Sequence, residues 1–356
     1  MDHAARRGRL ARRIDELGID ALLVTRLVNV RYLSGFTGSN AQLLLTQGRG
    51  TLFTDRRYEE QAGKEVPDLE RVILARGFPD ALPEVWGSPG VRRLGFESGG
   101  VSYRTWRALS ESAASVELIP VGDEVERLRR VKDAEEIAVL QRAQDIADDA
   151  FERVTGKLAE GVTERGAAVE LEQAMRALGG ERVGFDTIVA FGENAAEPHH
   201  RPADRALARG DVVKVDFGCV VDGYHSDMTR TVAFGEPDPQ LREIHALVLR
   251  AHLAGLDAVR AGVTGGAADE AARAVIRQAG FGDRFGHSLG HGVGLEVHED
   301  PSLRHGSDDL LQTGTVVTVE PGVYVPGLGG VRIEDAVVVE EERARPLPRS
   351  PKELLI

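Results

Sequence analysis

The stretch VKVDFGCVVDGYHSDMTRT, residues 213 to 231, constrains this chain more than any other. Two β-branched runs meet at Asp222-Gly223, a dipeptide suited to a two-residue hairpin loop because it accepts the positive φ such a loop demands. That turn sets Val221 opposite Tyr224, Asp216 opposite Thr229 and Asp227 opposite Gly218. Asp216 and Asp227 then share one face as diagonal neighbours, with Cα atoms roughly 7–8 Å apart. On the other face Val213, Val215, Phe217 and Cys219 form an apolar row that must pack against a core. Two ionised carboxylates this close repel each other unless a cation lies between them. The competing reading is a solvated outer face.

A repeat in the chain separates the two readings. EGVTERGAAVELEQAMRALGG (160–180) and AGVTGGAADEAARAVIRQAGF (261–281) align at an offset of 101 residues. Each reads as a capped helix closing at a glycine, with a long helix before it and strands after it. The second long helix opens at Asp238-Pro239, where proline suits the first turn. Two related halves predict a second set of acids, and TVVTVEPGVYVPGLGGVRIEDAVVVE (315–340) carries Glu320 and Glu334. Asp216 lies 55 residues after Gly161 and Glu320 lies 58 after Gly262. Between the halves, GHSLGHGVGLEVHED (286–300) offers His287, His291 and His298, with glycines around His291 that let backbone approach a ligand. Four carboxylates and a histidine gathered at the middle of a two-fold arrangement suit two divalent cations, −4 against +4. A solvated face would need the same coincidence twice.

The first ~120 residues alternate short apolar strands (ALLVT, QLLLT, TLFT, RVILA, RRLGFE) with amphipathic helical stretches near 3–17, 56–64 and 102–114, an α/β pattern. After Pro120 a long helical pattern runs from 121 to 154, with Asp133 and Glu136 spaced as an N-cap and its N3 partner. The expected domains are therefore 1–122 and 123–356, and the expected fold class is α/β (α+β). The net charge of 44 minus 57, or −13, argues against nucleic acid and anionic membranes as partners. No apolar run approaches the ~20 residues of a membrane span, and MDHAARRGRLARRIDELG has no signal-peptide core, so a cytoplasmic location is expected. The single cysteine, Cys219, falls on the apolar side of the hairpin and reads as a packed thiol.

These motifs resemble the metallopeptidases of the pita-bread fold, which include methionine aminopeptidase, aminopeptidase P and prolidase. VDFG with SDMTRT, GHGVGLEVHE, VEPG and RIED stand in the order and separation of that family, and the resemblance spans essentially the whole chain. It implies a catalytic domain with internal pseudo-two-fold duplication behind a creatinase-like N-terminal domain. Carried over by motif, Asp216 would bind one metal, Asp227 and Glu334 would bridge both, and His291 with Glu320 would complete the other. FGENAAEPHHRP (191–202) resembles the family's stretch ending in a Pro-His pair, which implies a place near the scissile bond for His199 and leaves His200 open. YLSGFTGSNA (32–41) and FTDRRYEEQA (53–62) look like the fore-domain of the Xaa-Pro-cleaving enzymes. Creatinase shares the two domains but lacks the ligand set.

The resemblance implies an exopeptidase acting on proline-containing peptides, with aminopeptidase P as the main reading and prolidase as the alternative. A catalytically inactive binding protein on the same fold is the remoter alternative, and the intact ligand set argues against it. Two divalent metal ions are expected, with Mn²⁺ favoured by carboxylate-rich ligation and Co²⁺ or Zn²⁺ as alternatives. His199 and His298 would donate to the substrate and its oxyanion, and Glu320 would pass a proton to the leaving proline nitrogen. Arg332 is expected to hold Glu334 or Asp227 from behind. A homodimer is the expected assembly.

Overall fold

The computed structural model describes residues 1–75, 77–78, 90–112 and 116–354, and the chain divides into two units, Met1–Arg129 and Arg130–Ile356. The first unit opens with α1 (His3–Glu16), capped by the Asp2 side chain, which accepts from the Ala5 N–H at 2.8 Å. Then follow β1 (Ala21–Val24), α2 (Leu27–Ser34), β2 (Ala41–Leu45), β3 (Gly50–Asp55), α3 (Glu59–Glu65), β4 (Glu70–Leu74) and β5 (Arg93–Glu97). The unit closes with α4 (Tyr103–Ser112), β6 (Glu117–Val121) and α5 (Glu124–Arg130). The helix expected over 102–114 is α4, and residues 113 and 114 lie outside the described residues.

The six strands form one mixed sheet in the order β4-β3-β2-β1-β5-β6. Leu23, Leu44, Phe53, Leu94 and Phe96 project into a shared core with Leu109 of α4. Five of the six strands were readable as short apolar runs, whereas β6, ELIPV, carries a glutamate and a proline and was not among them. By contrast, α2 is held by distant residues: Glu97 accepts from the backbone N–H groups of Thr25 (2.6 Å) and Arg26 (2.8 Å) and from Asn29 (2.6 Å). The division between units falls after α5, because Glu124 pairs with Arg13 at 2.9 Å, Glu126 with Arg26 at 2.6 Å, and Arg129 donates to Asn29 at 2.7 Å.

The helical pattern after Pro120 is two helices. The chain breaks at Val131 and Lys132, where the Lys132 N–H donates to the Gly314 carbonyl at 2.9 Å. Helix α6 (Ala134–Thr155) then starts on the capping box of Asp133 and Glu136, with both bonds at 2.9 Å. The first half of the second unit continues with α7 (Glu164–Ala177), β7 (Arg182–Val183), β8 (Ile188–Phe191), β9 (Val212–Phe217), β10 (Cys219–Val221), β11 (Tyr224–His225) and β12 (Met228–Ala233). The second half has α8 (Pro239–Ala258), α9 (Gly265–Gln278), β13 (Gly290–Gly292), β14 (Glu299–Leu303), β15 (Val316–Val319), β16 (Gly322–Val325), β17 (Gly329–Arg332), β18 (Asp335–Val339) and β19 (Ala344–Pro346).

The duplication is visible element by element. Both α7 and α9 are 14 residues long and capped by a threonine, Thr163 or Thr264, whose hydroxyl accepts from the N3 backbone. Each threonine also forms an isolated bridge, to Ala206 or Leu310. The halves have separate cores: Phe151, Leu171, Val213, Val215 and Phe217 in one, Ile244, Ala272, Val317, Val319 and Val337 in the other. Each such buried valine, leucine, isoleucine or phenylalanine side chain contributes about 1.5–3 kcal/mol.

The hairpin register holds. Val221 pairs with Tyr224 and Asp216 with Thr229, and Asp222 and Gly223 both take positive φ, 47° and 81°. Cys219 is buried, its thiol donates to the Ala143 carbonyl at 3.3 Å, and burial pushes its pKa up to about 11. Among the described residues no helix is long and apolar enough to cross a membrane.

Candidate functional site

The ends of strands from both halves converge on one cavity of about 610 Å³ in the second unit. Asp216 comes from the end of β9, Asp227 precedes β12, His291 sits on β13, Glu320 follows β15 and Glu334 lies between β17 and β18. His199, His298 and Arg332 line the same cavity, so all eight residues singled out in the sequence meet there. Two glycines allow the convergence. A Cβ on Gly218 would meet the Ser226 carbonyl oxygen at 1.9 Å, and one on Gly290 would meet that of Thr318 at 1.9 Å.

Asp227 and Glu334 are buried, while Asp216, Glu320 and His291 are half-buried. Burial, then Glu334, Asp216 and Glu320, drives the Asp227 carboxyl well above the usual range. Burial, then Glu320 and Asp216, does the same to Glu334. Burial pushes Glu320 up to about 8. Burial, with His298 beside it, lowers His291 to about 4. Asp227, His291 and Glu334 each present one ligand atom within 4.8 Å of the others.

The donor chemistry fits a cation. The His291 Nδ1–H donates to the Gly292 carbonyl at 3.1 Å, which leaves a lone pair on Nε2. That nitrogen faces Glu320 Oε1 at 3.4 Å and Asp227 Oδ2 at 3.7 Å. Acceptors turned towards acceptors in a desolvated place are stabilised by a metal ion, and orienting a ligand imidazole through its other nitrogen is a common device.

Arg332 differs from expectation. Its guanidinium pairs directly with Asp216, and Nε donates to Thr229 Oγ1 at 3.0 Å. Thr229 in turn donates to Glu334 Oε2 at 2.6 Å, so Arg332 reaches Glu334 only through that hydroxyl. Thr318 acts similarly in the other half, accepting from the His291 N–H at 3.1 Å and donating to Glu320 at 3.2 Å. Both threonines lie two residues from an acid. The strand period of two was the signal that could have revealed them.

His199 and His298 are exposed to the cavity and hydrogen-bond to no described residue. The backbone before His199 is anchored: Lys214 Nζ donates to the Ala195 carbonyl at 3.0 Å and Arg332 to that of Pro198 at 3.2 Å. Burial and Arg332 lower Lys214 to about 6. His200 points elsewhere, its ring held between Glu197 (2.7 Å) and Glu164 (2.8 Å), and despite its burial these carboxylates raise its pKa. His287 accepts from the Tyr324 hydroxyl at 2.9 Å, and burial beside Arg332 lowers it to about 3. Tyr324 and Glu164 carried no motif that marked them in the sequence.

A two-unit architecture whose second, duplicated unit gathers acids and histidines into one cavity is that of a metal-dependent peptidase with a creatinase-like fore-domain. Residues 138–341 match the model of metallopeptidase family M24 and residues 6–131 match the creatinase/prolidase N-terminal domain. The chain belongs to metallopeptidase family M24. A solved structure described as Xaa-Pro dipeptidase from Bacillus anthracis is 41% identical with a TM-score of 0.95, covering 100% of both chains. One described as X-Pro aminopeptidase from Thermotoga maritima is 39% identical with a TM-score of 0.91, covering 98% of this chain and 99% of that one. The Xaa-Pro dipeptidase of Pyrococcus furiosus is 37% identical, covering 98% of each sequence. The protein is thus a hydrolase of an Xaa-Pro peptidase family.

Proposed function

We propose that the protein is a metal-dependent Xaa-Pro dipeptidase. This reverses the preference for aminopeptidase P drawn from the fore-domain motifs, which fit both activities. The observation that carries the reading is identity over essentially the full length to proteins described as Xaa-Pro dipeptidases, 41% and 37% in two cases. Cleavage of longer Xaa-Pro peptides is the second reading, supported by the Thermotoga maritima relative.

In this reading Asp216, Asp227, His291, Glu320 and Glu334 hold two divalent ions, with Mn²⁺ suited to the mainly oxygen donor set. When bound, such ions supply positive charge for the scissile carbonyl oxygen and lower the pKa of water to about 7. The chain's own groups do the rest. Arg332 fixes Asp216, and Thr229 and Thr318 fix Glu334 and Glu320, so the carboxylates need not reorganise. His199 and His298 keep their N–H donors free for the substrate and its developing oxyanion. Glu320 hands a proton to the proline nitrogen as the bond breaks. Initial rates of the Mn²⁺-loaded enzyme on Ala-Pro and Ala-Pro-Ala test the reading. Faster cleavage of Ala-Pro is expected, faster cleavage of Ala-Pro-Ala would move the assignment to an aminopeptidase, and hydrolysis of neither would end both.

A further inference from the structure

His199 stands in a turn that follows β8 and a short 3-10 helix, Gly192–Ala196. Glu164 fastens both ends of this segment. Its carboxylate accepts from the Phe191 N–H at 2.8 Å and the Asn194 amide at 2.9 Å on one side, and from His200 at 2.8 Å and the Ala203 N–H at 2.9 Å on the other. The middle, which carries His199, hangs from Lys214. Its Nζ donates to the Ala195, Glu197 and Pro198 carbonyls at 3.0, 2.5 and 3.5 Å, and Arg332 reaches the last of these at 3.2 Å.

Packing alone does not call for a lysine there. Lys214 is 0% exposed in β9, the central strand of the sheet β12-β9-β8, with Ala190 and Thr231 as its neighbours across the ladder. The strand period of two sends Val213, Val215 and Phe217 into the core and turns Lys214 to the face of Asp216. Burying an amino group costs free energy unless its donors are met. Its hydrogen bonds go to carbonyls at the end of the 3-10 helix, the groups that a helix terminus leaves without partners. The Tyr324 ring, 5.2 Å from Nζ to its centroid, packs against the same group. An apolar side chain at this strand position would still pack against Tyr324 but would strip the turn of these donors.

We propose that Lys214 is the positioning residue for His199: it sets where the imidazole stands relative to the acids without itself lining the cavity. The path from one to the other is short. Because a peptide unit is planar, holding the Pro198 carbonyl holds the plane that contains the His199 nitrogen and Cα. Pro198 also has its own φ locked by the ring, so the Glu197 and Pro198 carbonyls move nearly as one body with the backbone of His199. Lys214 and Asp216 leave the same face of one strand, so a single rigid element places both a cation ligand of the proposed function and the donor that works beside it. The proposal rests on the donor role given to His199 in that function.

The test is a double-mutant cycle on kcat of the metal-loaded enzyme, with Ala-Pro or Ala-Pro-Ala, whichever is cleaved faster. Lys214→Met keeps the stem and removes the donors. Since a catalytic group misplaced by about 1 Å costs up to about 10²-fold, this variant should lose roughly 10- to 100-fold in kcat, with KM little changed and metal content kept. Once the ring is gone its placement no longer matters, so the same substitution in His199→Ala should change kcat by no more than about 2-fold. Lys214→Arg, which keeps N–H donors, should lose less than Lys214→Met, and Lys214→Gln serves in the cycle if the methionine variant does not fold. If His199→Ala turns over as fast as the wild type, the donor role of His199 falls and this proposal with it. If His199→Ala is slow but loss of Lys214 leaves kcat intact, or lowers it by the same factor in both backgrounds, the role of His199 stands and the Lys214 assignment is overturned.

Discussion

Glu334 and Asp335 are adjacent and both buried, 2% and 0% exposed, yet the protein treats their charges in opposite ways. Asp335 accepts from Arg230 at 2.8 Å and from His252 at 3.1 Å, with Lys352 Nζ at 2.8 Å. Burial alone would raise its pKa, but His252, Arg230 and Lys352 hold the carboxyl well below the usual carboxylate range. For Glu334, burial and then the charges of Glu320 and Asp216 push the other way. The chain supplies cations for one acid and more acids for the other. A buried carboxylate that the chain itself neutralises is architecture, whereas one set among further carboxylates calls for a cation from outside.

The largest effect expected from this contrast is structural. Asp335→Asn leaves Arg230 buried without its anion and should destabilise the protein by about 3–5 kcal/mol, in chelated and in metal-loaded protein alike. Urea unfolding in both states measures it. A loss seen only with metal present would blur the contrast, since Asp335 would then belong to the cation site.

Groups inside the cavity should behave differently from such structural pairs. Replacing His199 by alanine, a ring with no partner among the described residues, should lower kcat by about 10²- to 10³-fold without changing metal content or stability. Elemental analysis beside steady-state rates checks this, and unchanged kcat would move the donor role to His298.

The smallest effect concerns the substrate. An amide to proline has no N–H, so a site built for it offers no acceptor there, and an Xaa-Ala peptide leaves a donor unpaired at about 1–3 kcal/mol. Xaa-Pro peptides should therefore be preferred over Xaa-Ala by roughly 5- to 150-fold in kcat/KM. Equal turnover of Ala-Pro and Ala-Ala would contradict the Xaa-Pro assignment.

Much of this was legible in the sequence because the signals are local. Asp222-Gly223 set the hairpin register, Asp133 and Glu136 marked a helix start, and Thr163 and Thr264 marked the repeated one. The acids stood out because polar residues interrupted β-branched runs. What stayed hidden depends on partners far along the chain. Helix α2 rests on Glu97, about 70 residues away, and α5 joins the first unit through Arg13, Arg26 and Asn29. Arg332 was recognised as a support, but its choice of Asp216 over Glu334 follows from how β17 lies against β9, which spacing alone does not encode. The motif favoured His199 and left the role of His200 open, because Glu164, which holds the His200 ring at 2.8 Å, lies far back along the chain.

The central claim is that the acids of the cavity oppose folding unless cations join them, unlike Asp335. The direct measurement is chemical unfolding of wild type and Asp227→Asn, each chelated and each with Mn²⁺. Removing one buried charge should make the chelated variant as stable as, or more stable than, the chelated wild type. Binding to the native state should then stabilise the wild type by RT ln(1 + [L]/Kd), about 2.7 kcal/mol at a hundred times Kd, and the variant far less, so the order inverts. A variant less stable than wild type by the same amount in both conditions would show that Asp227 is a structural acid like Asp335, and would contradict the account.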